Sequence, residues 1–182
     1  MRGHFVVQDR TLRWSRIGYP PIAARVAAHQ ILDPLMTTSP DRPLPIVRQA
    51  TAEDADDIHA MVQRFAPRAQ RDRGVFDLNL ERVLSDPSTW LAVAQCGRVV
   101  TGYCLGFDHY TLAAGGRMAW FEEIMVRPVW RRKGIGRALL LSFEAWARAR
   151  GSRMVAVATR EGWPFFEALA YEESAFLFRK PL

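Results

Sequence analysis

The feature that most limits how this chain can fold is a pair of glycines, Gly134 and Gly136, placed between two strongly patterned segments. The segment before them, residues 117–126, has the pattern of a strand, and the segment after them is an amphipathic helix that Gly151 would end. A strand, a long helix and a further strand in succession form a crossover, which joins two parallel strands of one sheet. The chain is therefore predicted to be an α/β protein.

The other segments from residue 46 onwards alternate in a similar way. A capping box at Thr51 and Asp54 would begin the first helix. The turn at Gly97-Arg98 predicts an antiparallel hairpin, so the sheet is expected to mix parallel and antiparallel pairs. The predicted order is strand 46–49, helices on Ile58–Phe65 and Phe76–Leu84, strands 90–95, 99–107 and 117–126, the long helix, strand 154–159, a short helix after Pro164 and strand 174–180.

The loop between residues 126 and 137 has the composition of an anion-binding site. The first amides of a helix have no acceptor within it, and the helix dipole adds partial positive charge there. Glycine lets the backbone approach a bulky anion closely, and four basic side chains add charge, namely Arg131, Arg132, Lys133 and Arg137. The alternative is a tight turn with a solvated basic face. The pattern is not a P-loop, and Leu139 stands where a dinucleotide fingerprint needs its third glycine.

Composition excludes several classes of protein. The 182 residues are 49% apolar, which suits one domain with a core, and no apolar run reaches the about 18 residues of a membrane span. The two cysteines, Cys96 and Cys104, are too few for a disulfide scaffold or a structural zinc site, and the four histidines are scattered. We therefore expect no metal, no membrane partner and a reduced, cytoplasmic setting.

The formal charge of +6 favours an anionic partner, which the charge alone leaves open among nucleic acid, a membrane surface and a phosphorylated small molecule. The excess is local, because residues 127–150 hold seven basic residues and one acidic residue. No recognition helix or stacking platform is evident, so we expect no nucleic-acid partner. The charge is therefore interpreted as belonging to the basic loop.

Residues 1–44 differ from the rest of the chain. They contain Pro20-Pro21 and lead into a proline-rich tail over residues 37–45, which is typical of a linker. We predict that residues 1–44 are an N-terminal extension and linker and that residues 45–182 form the domain. Translation from Met36 is the alternative.

The segment Arg131-x-x-Gly134-x-Gly136 resembles the acetyl-CoA motif of the GNAT N-acetyltransferase superfamily, Gln/Arg-x-x-Gly-x-Gly/Ala, in its place between a strand and a helix. Residues 121–128 resemble the family's fourth strand, and residues 165–171 resemble its C-terminal Phe-Tyr-Glu-x-Leu-Gly-Phe segment. The element order agrees over residues 45–182. The resemblance implies a GNAT fold, which is a mixed, mostly antiparallel sheet of six to seven strands flanked by helices on both faces.

The resemblance also implies a set of residues that bind acetyl-CoA. In the family, the loop and the helix start hold the CoA pyrophosphate, which corresponds here to Arg131, Arg132, Lys133, Gly134, Ile135, Gly136 and Arg137. The backbone of the fourth strand pairs with the pantetheine arm, which corresponds to Ile124, Met125 and Val126. Thr159 would line the other side of the acetyl slot. Phe166 replaces the tyrosine whose hydroxyl stabilises the leaving thiolate in many relatives.

Two carboxylates are candidates for the catalytic base. An alkyl amine is mostly protonated at neutral pH, so something must take its proton before it can attack a thioester. Glu122 matches the base position of family members whose fourth strand reads Ile-Glu-Asp-Leu, and Glu123 is the second candidate. Neighbouring strand residues face opposite ways, so only one of the two is expected to serve. Glu122 pairing with an arginine or binding a cationic substrate is the alternative.

Other polar and aromatic residues are weaker candidates. Asp108, His109 and Tyr110 fall in a predicted loop over residues 108–116 and are candidate substrate contacts. Trp120 and Trp130 flank the motif and are candidate walls of the cofactor slot.

These observations predict an acetyl-CoA-dependent N-acetyltransferase that acts on a small-molecule amine by direct attack in a ternary complex. A protein amine as acceptor stays open, as does a homodimer. Because Phe166 lacks a proton to give, a weak or inactive acyl-CoA-binding regulatory module is the alternative within the family.

Overall fold

The computed structural model describes residues 45–65, 72–159, 162–173 and 180. Its five strands are β1 (Ile46–Gln49), β2 (Thr89–Cys96), β3 (Val99–Thr111), β4 (Gly116–Val126) and β5 (Ser152–Val157). Its α-helices are α1 (Ala55–Phe65), α2 (Arg73–Ser85), α3 (Ile135–Ala149) and α4 (Trp163–Glu167). Two short 3₁₀ turns, Ala52–Asp54 and Pro128–Trp130, precede α1 and α3.

The five strands form one sheet in the order in which they occur along the chain. The three pairs from β1 to β4 are antiparallel, and β4 pairs with β5 in parallel through the α3 crossover. This confirms the predicted mixed, mostly antiparallel α/β sheet.

Each face of the sheet carries its own apolar core. Ala92 and Ala94 of β2 face α3, where Leu139, Leu140 and Phe143 are buried. The alternate residues Leu91 and Val93 face α1 and α2. Strand side chains point alternately to the two faces, so a strand covered on both sides is apolar throughout, as the run Leu91–Ala94 is. Helices on both faces are thus confirmed.

The start of α1 is fixed by side-chain hydrogen bonds that the sequence predicted in part. The Thr51 amide donates to Asp54 Oδ2 at 2.8 Å, which is one half of the expected capping box. Arg48 of β1 donates to both oxygens of the same buried carboxylate at 2.7 Å. At the far end of β4, Arg127 donates to the Val100 carbonyl and to Asp57 of α1. The end of β4 is therefore tied to β3 and to the face that α1 covers.

One prediction about the sheet is wrong, and another is not confirmed. The expected loop over residues 108–116 is wrong, because β3 continues to Thr111 and only residues 112–115 turn before β4. The described part of the chain holds five strands, so the expected count of six to seven is not confirmed. The predicted strand over residues 174–180 falls, except for Lys180, outside the described residues, and so does the predicted extension over residues 1–44.

Candidate functional site

A slot opens in the sheet where β4 leaves β5. Their parallel pairing runs from Arg117 opposite Ser152 to Phe121 opposite Val157 and ends there. β4 then continues to Val126, still paired with β3 on its other side. Residues 122–126 therefore leave one edge of backbone donors and acceptors unpaired by β5, and an extended ligand can bind along such an edge.

The start of α3 lies at the same end of β4 as this slot. The first helical hydrogen bond runs from the Ala138 amide to the Gly134 carbonyl at 2.9 Å, so the amides of residues 135–137 precede it and have no acceptor in the helix. Gly134 has φ 78°, and Arg132 has φ 60° without being glycine. Left-handed residues within a turn point successive amides into one concavity, which binds anions.

Gly136 brings two apolar side chains to the first turn of α3. A Cβ on Gly136 would lie 3.4 Å from the ring of Phe165 in α4 and 3.7 Å from Cδ1 of Ile124 in β4. These are ordinary contact distances, so an alanine fits here, as the Gly/Ala alternative at this place in the motif requires. The helix start, β4 and α4 thus meet around one point.

The basic side chains of the loop divide into two kinds. Arg131 Nε donates to the Val126 carbonyl at 3.1 Å, and Lys133 Nζ donates to the Val129 carbonyl at 2.5 Å while lying 5.1 Å from the centroid of the Trp130 ring. These two contacts hold the shape of the loop. Arg132 and Arg137 are exposed on either side of Gly134. Their charge is directed to solvent, where a phosphate would approach.

A β-bulge lies at the mouth of the slot. Leu105 of β3 is opposite Glu123, but the next β3 residue, Gly106, is opposite Phe121, so Glu122 is the extra residue on β4. Phe121 packs in the core beneath α3, whereas Met125 packs in the core beneath α1 and α2. The bulge therefore reverses the alternation of β4 at its midpoint.

Because of this bulge, both glutamates make contacts on the side of the sheet away from Phe121. Glu123 Oε2 accepts a hydrogen bond from the Tyr103 hydroxyl at 2.8 Å, and Tyr103 belongs to the core under α1 and α2. Glu122 is exposed, and its Oε2 accepts from the Trp120 indole at 2.6 Å. The expectation that the two glutamates face opposite ways is therefore wrong.

Tyr103 is the residue of this site that the sequence did not point to. Its side chain is buried in β3, and burial, followed by the negative charge of Glu123, raises its pKa well above the usual range. The hydroxyl therefore stays protonated and is a permanent donor to Glu123. Nothing in the sequence distinguishes its hydroxyl from those of Thr101, Tyr110 and Thr111 on the same strand.

The profile of the acetyltransferase (GNAT) family matches residues 55–171, which includes α1 through α4. The chain belongs to this family. An aminoglycoside N(6′)-acetyltransferase type 1 of Stenotrophomonas maltophilia is 29% identical to it over 147 residues, which cover 76% of this chain and 94% of that one. An aminoalkylphosphonate N-acetyltransferase of Salmonella typhimurium is 26% identical over 140 residues, covering 75% and 90%.

Several solved structures have a fold similar to that of this GNAT domain. The aminoglycoside N-acetyltransferase AAC(6′)-Iy in complex with CoA superposes with a TM-score of 0.68 at 18% identity, covering 79% of this chain and 99% of that one. A protein described as a transcriptional regulator from Bacillus halodurans superposes with a TM-score of 0.71 at 20% identity, covering 76% and 100%. At these identities the likeness concerns the fold.

The remaining residues that the GNAT resemblance implicated lie around the slot with different degrees of exposure. Thr159 follows the end of β5, and its hydroxyl accepts a hydrogen bond from the amide of Gly162, the residue that precedes α4, at 2.8 Å. Phe166 is buried and packs edge-on against Phe121. Tyr171 packs on Phe166 and donates to Glu144 of α3 at 3.0 Å. Neither aromatic side chain at this end of the domain presents a free hydroxyl to the slot.

Asp108 lies at the opposite end of the GNAT sheet. It is opposite Ala119 near the start of β4, and its buried carboxylate accepts from Arg117 at 2.5 and 2.6 Å and from Arg150 at 2.9 Å. Burial would raise its pKa, but these hydrogen bonds and charges outweigh burial, so the pKa is lowered. His109 and Tyr110 are exposed beside it on β3. The structure therefore does not bring Asp108, His109 and Tyr110 to the slot.

Among the residues that the structure describes, no group of three or more histidine, cysteine, aspartate or glutamate side chains is placed to hold a metal ion. In the same part of the chain, no helix is both long and apolar enough to cross a membrane.

Proposed function

We propose that this GNAT-family chain is an acetyl-CoA-dependent N-acetyltransferase that acts on a small-molecule amine by direct attack in a ternary complex. The observation that carries the proposal is the divergence of β4 from β5 beside the start of α3, with Glu122 and Glu123 on β4 at that point. The aminoglycoside and aminoalkylphosphonate acetyltransferases named above support an acceptor that is a small molecule.

The proposed donor site uses the backbone more than side chains. The amides of Ile135, Gly136 and Arg137, in the field of the helix dipole, would bind the pyrophosphate of CoA. Arg132 and Arg137 would add exposed positive charge. The edge of Ile124–Val126 that β5 leaves unpaired would hydrogen-bond the amide groups of the pantetheine arm. These roles require the geometry of the loop rather than a particular side chain at each position.

For the proton of the amine we propose Glu123, with Glu122 as the alternative. Glu123 is half-buried and held in place by a buried donor, whereas Glu122 is exposed and bonded to a half-exposed indole. The amine nitrogen would form a C–N bond with the acetyl carbonyl carbon, its proton would pass to the carboxylate, and the C–S bond would break. The departing thiolate would take a proton from water, since Phe166 is buried and has none to give.

The test measures thiol release from acetyl-CoA across a panel of amines, for the wild type and for Glu123→Gln and Glu122→Gln. We expect Glu123→Gln to lower kcat/KM about 10²-fold or more, the usual contribution of a general base, with acetyl-CoA binding retained. We expect Glu122→Gln to change it by less than about fivefold, because Glu122 is exposed. The reverse ranking would assign the base to Glu122. Tight acetyl-CoA binding without thiol release for any amine would instead support a regulatory acyl-CoA-binding module.

A further inference from the structure

A cavity of about 100 Å³ lies between α1, α2 and the sheet and reaches the Glu123 side chain. Its apolar walls come from both helices and from β2, and they include Ile58, Phe76, Leu80 and Leu91, all buried in the same core. Asn79 on its rim is exposed, so the cavity communicates with the surface between the helices. The face of β4 that carries the Glu123 side chain therefore adjoins a small apolar cavity.

The polar groups of this cavity are few. Tyr103 and Glu123 are joined by their hydrogen bond, and Asn79 lies on α2. Of the described residues that line the cavity, Glu123 is the only one with a formal charge. A ligand with one positive charge finds a counterion here, and a ligand with a negative charge finds none.

We infer that the acceptor is an amine with a single ammonium group on a compact aliphatic body, with the ammonium on Glu123 and the body in the cavity between α1 and α2. This inference rests on the proposed function and narrows its substrate class. It differs from the substrates in the names of the relatives. An aminoglycoside would place further ammonium and hydroxyl groups against apolar walls, and a polar group buried without a partner costs several kcal/mol. An aminoalkylphosphonate would bring its anion beside Glu123.

The size of the cavity limits the size of the aliphatic body. A cavity of about 150 Å³ lined by aliphatic and aromatic side chains is large enough to bind benzene. The cavity here, at about 100 Å³, is smaller, so a branched chain of four or five carbons fits, whereas a phenylethyl group, with its ring and two further carbons, does not fit without rearrangement. We therefore choose three test amines. 3-Methylbutylamine has an aliphatic body that fits the cavity, methylamine has only a methyl group, and the apolar group of 2-phenylethylamine is too large.

The first experiment compares kcat/KM for acetylation of these amines, of kanamycin and of 2-aminoethylphosphonate by the full chain. We expect 3-methylbutylamine to exceed methylamine, kanamycin and 2-aminoethylphosphonate by about tenfold or more, since burial of each methylene contributes about 0.8 kcal/mol. Faster turnover of kanamycin or of the phosphonate would overturn the inference and leave the proposed function standing. No turnover of any amine by a protein that binds acetyl-CoA would overturn both.

The second experiment changes the cavity. Val83 lines it from α2, whereas Leu78 on the same helix is 57% exposed, so Val83→Phe fills the cavity and Leu78→Phe is the matched control. We expect Val83→Phe to raise the KM for 3-methylbutylamine about tenfold more than the KM for methylamine, with Leu78→Phe like the wild type for both. Equal effects of Val83→Phe on both amines would contradict the assignment of the cavity.

A third variant covers the case in which Val83→Phe does not fold. Leu80→Ala enlarges the cavity, and we expect it to shift the preference from 3-methylbutylamine towards 2-phenylethylamine by about tenfold relative to the wild type. An unchanged ratio of kcat/KM for these two amines in a folded Leu80→Ala variant would overturn the inference.

Discussion

The Tyr103 hydroxyl lies 2.8 Å from Oε2 of Glu123 across the β3–β4 pair, and it reaches that oxygen only because a bulge turns Glu123 towards the face that α1 and α2 cover. Without the extra residue, Glu123 would follow Phe121 onto the face of α3. The buried phenol and the half-buried carboxylate thus depend on one irregularity in the pairing of two long strands. We regard Tyr103 as a positioning residue for Glu123.

The first prediction concerns this pair. Tyr103→Phe removes the donor and leaves the ring, so we expect kcat/KM for amine acetylation to fall about tenfold, the rate equivalent of one hydrogen bond worth about 1.4 kcal/mol. The KM for acetyl-CoA should not change, because Tyr103 does not face the slot. The matched control is Tyr171→Phe, which removes a hydrogen bond of 3.0 Å to Glu144 and should leave kcat unchanged. Equal losses of activity in both variants would contradict a positioning role.

The second prediction compares the two glycines of the loop. Gly134 has φ 78°, where a side chain costs about 1–2 kcal/mol, so Gly134→Ala should lower Tm and raise the KM for acetyl-CoA as the turn rearranges. Gly136 lies within α3, and its added Cβ would lie 3.4 Å from Phe165, so Gly136→Ala should fold with equal or higher Tm. Thermal denaturation and saturation kinetics of the two variants test this. A Tm lower in Gly136→Ala than in Gly134→Ala would contradict it.

The sequence predicted the local elements of this fold well, because they depend on short-range patterns. The capping residues before α1, the apolar face of α3 and the glycine at its end all lie within a few residues of the structure that they specify. The basic loop before α3 could be located for the same reason, since Gly134 and its neighbours determine its conformation themselves. The pairing of strands could be inferred only from turns and from the crossover.

The parts that the sequence did not predict depend on distant residues. The bulge at Glu122 is set by the register of β4 on β3, and alternation along β4 alone assigns the wrong face to one glutamate. The polar run at Asp108 looked like a loop, but Arg117 and Arg150 neutralise its carboxylate and allow β3 to continue. The cavity beside Glu123 arises from the packing of two helices on a sheet, and no single segment encodes it.

The third prediction concerns Asp108. Asp108→Asn removes the negative charge that accepts hydrogen bonds from Arg117 and Arg150. Because hydrogen bonds to charged groups contribute about 1.5–3 kcal/mol, we expect the free energy of unfolding, measured in urea at neutral pH, to fall by about 2–3 kcal/mol. The exposed Asp56, paired with Arg73 on the surface, is the control, and Asp56→Asn should change stability little. Because Asp108 lies at the far end of the sheet, kcat should not change in either variant.

The same variant should alter the dependence of stability on acid. In the folded protein the pKa of Asp108 is lowered from its ordinary 3.8. The stabilisation that its carboxylate contributes to the fold is therefore complete above pH 3.8 and is lost as the pH falls through the folded pKa. We therefore expect the difference in free energy of unfolding between wild type and Asp108→Asn to shrink below pH 3.8. A constant difference down to the acid-unfolding region would show that the charge of Asp108 does not stabilise the fold.

The fourth prediction concerns alkaline pH and Cys104. Its thiol is buried in β3 and contacts the Leu139 carbonyl of α3 at 3.7 Å, and burial raises its pKa from 9.0 to about 12. Above pH 9.0 the thiol ionises in the unfolded chain but stays neutral in the folded protein. The contribution of Cys104 to the free energy of unfolding is therefore complete below that pH, and it falls by about 1.4 kcal/mol for each pH unit above it. Cys104→Ala should be less stable than the wild type at neutral pH and should lack this part of the slope.

The measurement is the urea midpoint of wild type and variants from neutral pH to about pH 10, below which unfolded tyrosines stay largely neutral. We expect the curves of wild type and Cys104→Ala to converge over the last pH unit. Val93→Ala, a truncation of a buried residue that does not titrate, is the control, and its curve should stay parallel to the wild type. Parallel curves for Cys104→Ala as well would mean that the thiol ionises without unfolding, and that α3 separates from β3 more readily than its packed contacts imply.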